Sequence, residues 1–160
     1  MAVSKDLFKQ LLGRFASGVT VVTTKNNEGV HGVTVSAFSS LSMEPPLVLI
    51  CIARTGSSHD MLLAGQRFVV NILSAKQASL AYKFANPDLD SQARFADENY
   101  HTTENGLPVF EANLAHIACR LINTFDGGDH TIFVGEIESG DFSEGEEPLV
   151  YYQGQFIEAV

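Results

Sequence analysis

Positive charge is scarce in this chain. Ten lysines and arginines stand against nineteen aspartates and glutamates, and the formal net charge is −9 at pH 7. Such a surface repels phosphates. That argues against a nucleic-acid or anionic-membrane partner, while leaving room for a local basic pocket. Long apolar runs are missing too: none approaches the ~20 residues needed to span a bilayer. Residues Met1 to Lys9 lack the charged head and apolar stretch of a signal peptide. The expected location is therefore cytoplasmic. Cysteine is limited to Cys51 and Cys119, each inside an apolar strand-like run. Free thiols in a reducing compartment are the first reading, and one disulfide is the alternative. There is no CxxC pair and no zinc spacing. GxSxG, P-loop and HExxH motifs are absent, and so is GxGxxG, so a nicotinamide would not be held in the Rossmann manner. The five histidines, at 31, 59, 101, 116 and 130, are too scattered for a sequence-local metal cluster.

What is present suits one domain over residues 1–160. The chain is 45% hydrophobic and 18% charged, long enough for a real core and too apolar to be disordered. Its centre of organisation is Val30 to Asp60. Alternation there puts Val33, Val35 and Ala37 on one face of a strand, with Gly32, Thr34 and Ser36 on the other. The second face is small and hydrogen-bonding, either a polar outer face or a wall against which a flat ligand lies. Ser39, Ser40 and Ser42 follow at once. Leu47 to Ala53 is a continuous apolar run, as expected of a strand buried on both sides. Beyond it, Ser57 or Ser58 suits the N-cap of a helix running to about Ala64 and stopped by Gly65. A helix N-terminus presents N–H groups to an anion. Two hydroxyl clusters at neighbouring strand ends are what a phosphate-bearing cofactor needs, although serine-rich turns are common without one.

The remaining elements follow from local signals. Ser4 to Arg14 reads as a helix capped by Ser4, with Leu7, Phe8, Leu11, Leu12 and Phe15 on one stripe, taken as core packing. Val19 to Thr24 and the strand at Val30 form a hairpin through Asn26-Asn27-Glu28-Gly29. Pro45 and Pro46 set a boundary before Leu47. Arg67 to Leu73 is a strand in which Asn71 is a satisfied core residue or a ligand contact. Ser74 and Gln77 match a capping box that opens a helix to about Phe84. Asn86 to Leu107 reads as a long surface loop with one helical turn near Ser91 to Phe95. Leu114 to Phe125 and His130 to Glu138 form a second hairpin through Asp126-Gly127-Gly128-Asp129. His116 reads as a paired core or wall residue. His130 stands at the base of that hairpin, exposed on a rigid sheet, either as a binding residue or as an ordinary turn histidine. An acidic loop, Ser143 to Glu147, precedes a last strand, Leu149 to Tyr152. About seven short strands and two or three helices suggest a mainly β fold, an antiparallel barrel decorated by helices.

Several segments taken together resemble a known family. FASGVTVVTT, GVTVSAFSSLSMEPPLVLICI followed by SSH, FVVNIL, GDHTIFVGEIE and PLVYYQGQF occur in that order. They are similar to the short flavin reductases of two-component flavin-dependent monooxygenases, such as the reductase partners of phenol and 4-hydroxyphenylacetate hydroxylases. The resemblance spans Phe8 to Phe156 and implies a Greek-key, FMN-binding split barrel that works as a homodimer. It implies reduction of FAD or FMN by NADH or NADPH, with reduced flavin passed to an oxygenase. Carried onto this chain, Thr34, Val35, Ser36, Ala37, Phe38, Ser39 and Ser40 would hold the isoalloxazine and ribityl chain. Cys51, Ile52 and Ala53 would line its other side, and Ser57, Ser58 and His59 would bind the phosphate. Phe84 and Ala85 would touch the distal part of the flavin. His130 would face the nicotinamide, with Tyr152 closing the same pocket, and Arg94 is a further candidate in the long loop. Many relatives read T-A-N-A-F where this chain has T-V-S-A-F, so Ser36 replaces an amide by a hydroxyl. Hydride transfer itself demands no acid–base side chain, only two stacked rings and a stabilised anionic product. Other readings are the same fold with bound flavin reducing a different acceptor such as ferric chelates, a flavin carrier without turnover, and a plain dimeric barrel.

Overall fold

The computed structural model describes residues 2–158, so residues 1, 159 and 160 of the expected domain lie outside the described residues. Helix α1 (Lys5–Leu12) is followed by strands β1 (Ser17–Gly18), β2 (Thr20–Asn26), β3 (Gly29–Val35), β4 (Phe38–Ser42) and β5 (Leu47–Ala53). Helix α2 (Ser57–Gly65) and β6 (Arg67–Ile72) come next, then a 3-10 turn (Ala75–Gln77) running into α3 (Ala78–Ala85). The second half holds α4 (Ser91–Phe95), β7 (Tyr100–Thr102), β8 (Pro108–Phe110), β9 (Ala115–Gly127), β10 (His130–Phe142), β11 (Leu149–Tyr152) and β12 (Gln155–Glu158).

Seven strands form one antiparallel sheet in the order β3-β2-β6-β9-β10-β5-β4. Its two edge strands are consecutive in sequence. The chain passes from β3 to β4 through Ser36 and Ala37 alone, and the Cys51 N–H donates to the Ala37 carbonyl at 3.0 Å. The sheet therefore curls until its edges meet, which is how a barrel removes unpaired strand edges. Both expected hairpins are present. Asn26 pairs with Gly29, and Gly127 pairs with His130 around a two-residue Gly128-Asp129 turn, where Gly128 takes a φ of +75°. A smaller sheet, β1-β11-β12, is tied to the end of β6 by the Leu149 N–H donating to the Leu73 carbonyl.

The barrel interior is filled by Val22, Ile50, Phe68, Val70 and Phe133, and a second cluster around Leu73, Phe84, Phe95 and Phe110 lies beneath α3. Each such side chain contributes about 1.5–3 kcal/mol by leaving water. Asn71 is the satisfied core residue of the two readings. Its amide donates to the Val21 carbonyl and Thr23 Oγ1, and its oxygen accepts from the Phe110 N–H and Asn113 Nδ2. The Ser74–Gln77 capping box forms as expected.

Several expectations are corrected. The α1 stripe is not core: Leu7, Phe8, Leu11, Leu12 and Phe15 are all exposed, Phe15 by 77%. Strand β5 is not buried on both sides. Val48, Ile50 and Ile52 point inward, whereas Leu47, Leu49, Cys51 and Ala53 on the other face are half-buried. The cap of α2 is Gly56, at φ +92°, rather than Ser57 or Ser58, because only glycine takes that backbone freely. Gly65 closes α2 from within, and Gln66 takes the left-handed position after it. Within Asn86 to Leu107 the expected turn at Ser91 to Phe95 forms as α4, but the segment is less of a surface loop than expected, since α4 buries Arg94 and Phe95 and β7 pairs with β8. Strand β12 carries too little periodicity to be legible beforehand.

Candidate functional site

The sharp passage from β3 to β4 exposes the small residues Ser36, Ala37 and Ser39 beside Phe38 along one wall of a cleft of about 980 Å³. Leu49 and Cys51 of β5 supply its floor, and Phe8, Leu12 and Tyr151 face them. The Gln153 N–H donates to the Gly13 carbonyl at 3.0 Å, which holds the end of α1 against the β11–β12 turn and closes the far side. Lys9 and Arg14 also line this cleft, and no carboxylate does among the described residues. In a chain of net charge −9, that is a local reversal of sign.

Strand register extends the floor. Cys51 pairs with Ile132 and Ala53 with His130, while Ser39 pairs with Leu49. Cross-strand partners share a face, and residues two apart along a strand stay on it. Ser39, Leu49, Cys51, Ala53, Ile132 and His130 therefore form one strip on the outer side of the sheet, with His130 at its end. The His130 ring is half-exposed and held by Asp129, whose Oδ1 lies 2.7 Å from Nδ1. That hydrogen bond, with the histidine's charge, holds the exposed Asp129 carboxyl below the usual range.

The start of α2 forms a second polar group. No side chain caps the helix. Ser57 is exposed, but the Ser58 hydroxyl turns inward to His31 Nε2 at 3.0 Å. His59 lies edge-on to Phe133, and its Nε2 is 2.8 Å from Thr131 Oγ1. His31, absent from the sequence-based candidates, is buried with both nitrogens engaged. Burial, and then the Arg94 charge, push its pKa down to about 4, so the ring is neutral near pH 7.

The candidates thus divide. Ser36, Ala37, Phe38, Ser39 and Cys51 line the cleft, and Ala53 and His130 continue its floor. Ser57, Ser58 and His59 gather at the helix start. Ser40 is exposed on β4, one residue past the cleft wall, and Ala85 is exposed at the end of α3. Val35, Ile52 and Phe84 are core residues, and the Thr34 hydroxyl donates to the Ala81 carbonyl at 2.6 Å rather than pointing into the cleft. Tyr151 lines the cleft, and strand alternation sends its neighbour Tyr152 the other way. Arg94 is buried, with its guanidinium donating to the Gly32 and Asn86 carbonyls. The α1 residues were missed as site candidates because an apolar helical stripe looks the same whether it faces a core or a ligand.

The cleft fits a flat aromatic heterocycle carrying phosphate. Its volume lies within the range of small-molecule sites, its walls mix apolar surface with hydroxyls, and its charges are cationic. A family model described as a flavin reductase like domain matches residues 12–159. The reductase component of 4-nitrophenol 4-monooxygenase/4-nitrocatechol 2-monooxygenase from Rhodococcus opacus is 40% identical over 154 residues, covering 96% of this chain and 80% of that protein. An NADH-dependent FMN reductase of Agrobacterium fabrum is 38% identical over 149 residues, covering 93% of this chain and 83% of that one. The solved structure of an NADH:FAD oxidoreductase from Streptomyces globisporus, in complex with NAD and FAD fragments, is similar at a TM-score of 0.91. Its identity is 32%, over 100% of this chain and 97% of that one.

Proposed function

Because this chain belongs to the flavin reductase-like domain family, we propose that it is an NAD(P)H:flavin oxidoreductase that supplies reduced FAD or FMN to a partner flavin-dependent monooxygenase. The observation that carries this is the cleft itself: serine hydroxyls, an apolar floor and two cations, with no lining carboxylate among the described residues. When both are bound, the nicotinamide delivers hydride to the flavin ring. The chain's own part is placement. Ser36 offers a donor at the ring edge and Ser39, whose hydroxyl donates to the Ser40 carbonyl, an acceptor, while Leu49 and Cys51 give the flat floor and Lys9 and Arg14 favour an anionic ligand. The start of α2 offers backbone N–H groups and the Ser57 hydroxyl to a phosphate. His130, at the end of the strip, would meet a second ring that approaches the first.

The test is NADH and NADPH oxidation with and without added FMN or FAD. Turnover stimulated by free flavin is expected, and its absence overturns the proposal. Turnover confined to a non-exchanging bound flavin would instead favour reduction of another acceptor. We further propose a homodimer in the cytoplasm. Phe8, Leu11 and Leu12 are more than half exposed on one helix, an apolar patch that a second copy would cover. Both cysteines are free, as a reducing compartment allows. Leu11→Glu should shift the particle mass toward the monomer in light scattering.

A further inference from the structure

We infer that His31 is a positioning residue. It ties the first turn of α2 to the first turn of α4, so that the segment between α3 and β8 sets how well the helix start holds a flavin phosphate. This rests on the proposed function for its ligand, but the tether is visible without one. The His31 ring is 4% exposed. Its Nδ1 lies 2.8 Å from Ser91 Oγ and its Nε2 lies 3.0 Å from Ser58 Oγ. A neutral imidazole has one donor and one acceptor nitrogen, and a hydroxyl can answer either, so both contacts hold in either tautomer.

The far end of the tether is fixed. Ser91 opens α4, and three residues on, Arg94 donates to the Gly32 carbonyl, the residue next to His31, at 2.8 Å. Its other terminal nitrogen donates to the Asn86 carbonyl at 2.8 Å. Phe95 then packs on Phe84 and Phe110 at ring separations of 5.0 and 5.8 Å. Gly32 is bare where these rings pass: an added Cβ would lie 2.7 Å from the Phe84 ring. The short helix α4 is thereby clamped to two successive residues of β3, one of which reaches across to α2. Because Gly56 offers no side-chain cap, the Ser58–His31 bond is a side-chain anchor for the first turn of α2.

The experiment is a double-mutant cycle on Ser91 and Ser58, with three readouts. These are flavin Kd by fluorescence quenching, amide exchange at the start of α2 in flavin-free protein, and KM for NADH. Ser91→Ala should weaken flavin binding by about three- to tenfold, the worth of one buried hydrogen bond. It should speed exchange across the first turn of α2, leave the NADH KM unchanged, and be restored by Ser91→Thr. Adding Ser58→Ala to Ser91→Ala should weaken binding by less than the product of the single effects. Wild-type flavin affinity and wild-type exchange in Ser91→Ala would overturn the inference, as would strictly additive effects. Failure of the wild-type protein to bind either flavin would fell the functional reading instead. Exchange in the flavin-free Ser91→Ala protein would still decide the tether.

Discussion

The buried His31 makes an acid-stability prediction whose size follows from its surroundings. In the unfolded chain the imidazole titrates near 6.5, whereas in the fold burial and the Arg94 charge lower its pKa to about 4. Above the unfolded value both states leave the ring neutral, and the folded state keeps its full stability. As pH falls below 6.5 the unfolded chain takes up a proton that the fold refuses, and stability declines by up to ~1.4 kcal/mol per pH unit. Down to the folded value, the loss attributable to this one group reaches roughly 3 kcal/mol. For a chain of this size that corresponds to a fall of roughly 6–12 °C in melting temperature. The control is His31→Gln, which keeps a donor and an acceptor but cannot titrate. Asp129 and His116 also have lowered pKa values, but they are common to both proteins and cancel in the difference. Denaturant melts from about pH 7.5 to about pH 4 should show the wild type losing stability faster than the variant. Parallel curves would refute the assignment of His31 as a buried neutral ring.

Three further outcomes test the site. Replacing Ser57 and Ser58 together by Ala should weaken flavin affinity about tenfold, by removal of the Ser57 hydroxyl contact to the phosphate and of the Ser58–His31 bond that anchors the helix start, ~1 kcal/mol or less each; an unchanged Kd would remove the helix start from the binding site. His130→Ala should raise the KM for NADH several-fold more than it raises the flavin Kd, and equal effects on the two ligands would deny this residue a nicotinamide role. Under a mild alkylating reagent Cys51, open to the cleft, should be labelled and be shielded by added flavin. Cys119 should stay unmodified, because burial and then the Glu138 charge push its thiol up to about 12. Mass spectrometry showing flavin-independent labelling of Cys51 would place the flavin elsewhere.

Features set by a few adjacent residues were legible in the sequence. The turns at Asn27-Glu28 and Gly128-Asp129 and the Ser74–Gln77 box depend on local backbone chemistry, and all three form. What depends on distant partners was not legible. The α1 stripe has perfect helical spacing and still faces outward, because nothing in an amphipathic pattern says what covers it. Leu47 to Ala53 is apolar on both faces, yet only one meets the barrel interior. Alternation correctly separated Thr34 from Val35 but could not reveal that α3 would claim the Thr34 hydroxyl. The helix start was visible as a serine pair, but the cap passed to Gly56, whose positive φ lies outside any serine's easy range. His31 was overlooked for a related reason: it sits in an ordinary strand, and its two partners lie 27 and 60 residues away.

The cleft's construction bears on how the ligand behaves there. Its floor and one wall belong to paired strands, but its cations, Lys9 and Arg14, sit on α1 and two residues past its end, and α1 has no buried residue. That wall is held to the body by the Gln153–Gly13 backbone bond and by β1 pairing with β11 through Ser17 and Gly18. Within one copy, a wall with so little buried apolar contact belongs to the low-stability end of the fold, and its opening costs little wherever the proposed second copy leaves it uncovered. An enzyme that keeps its cofactor has no use for such a wall. One that must surrender a reduced product to a separate oxygenase does, because release is a step of every turnover and can limit it. Under the proposed function, the paired strip from Ser39 to His130 would fix ring geometry for the hydride step, and the part of α1 left uncovered by a second copy would form the exit.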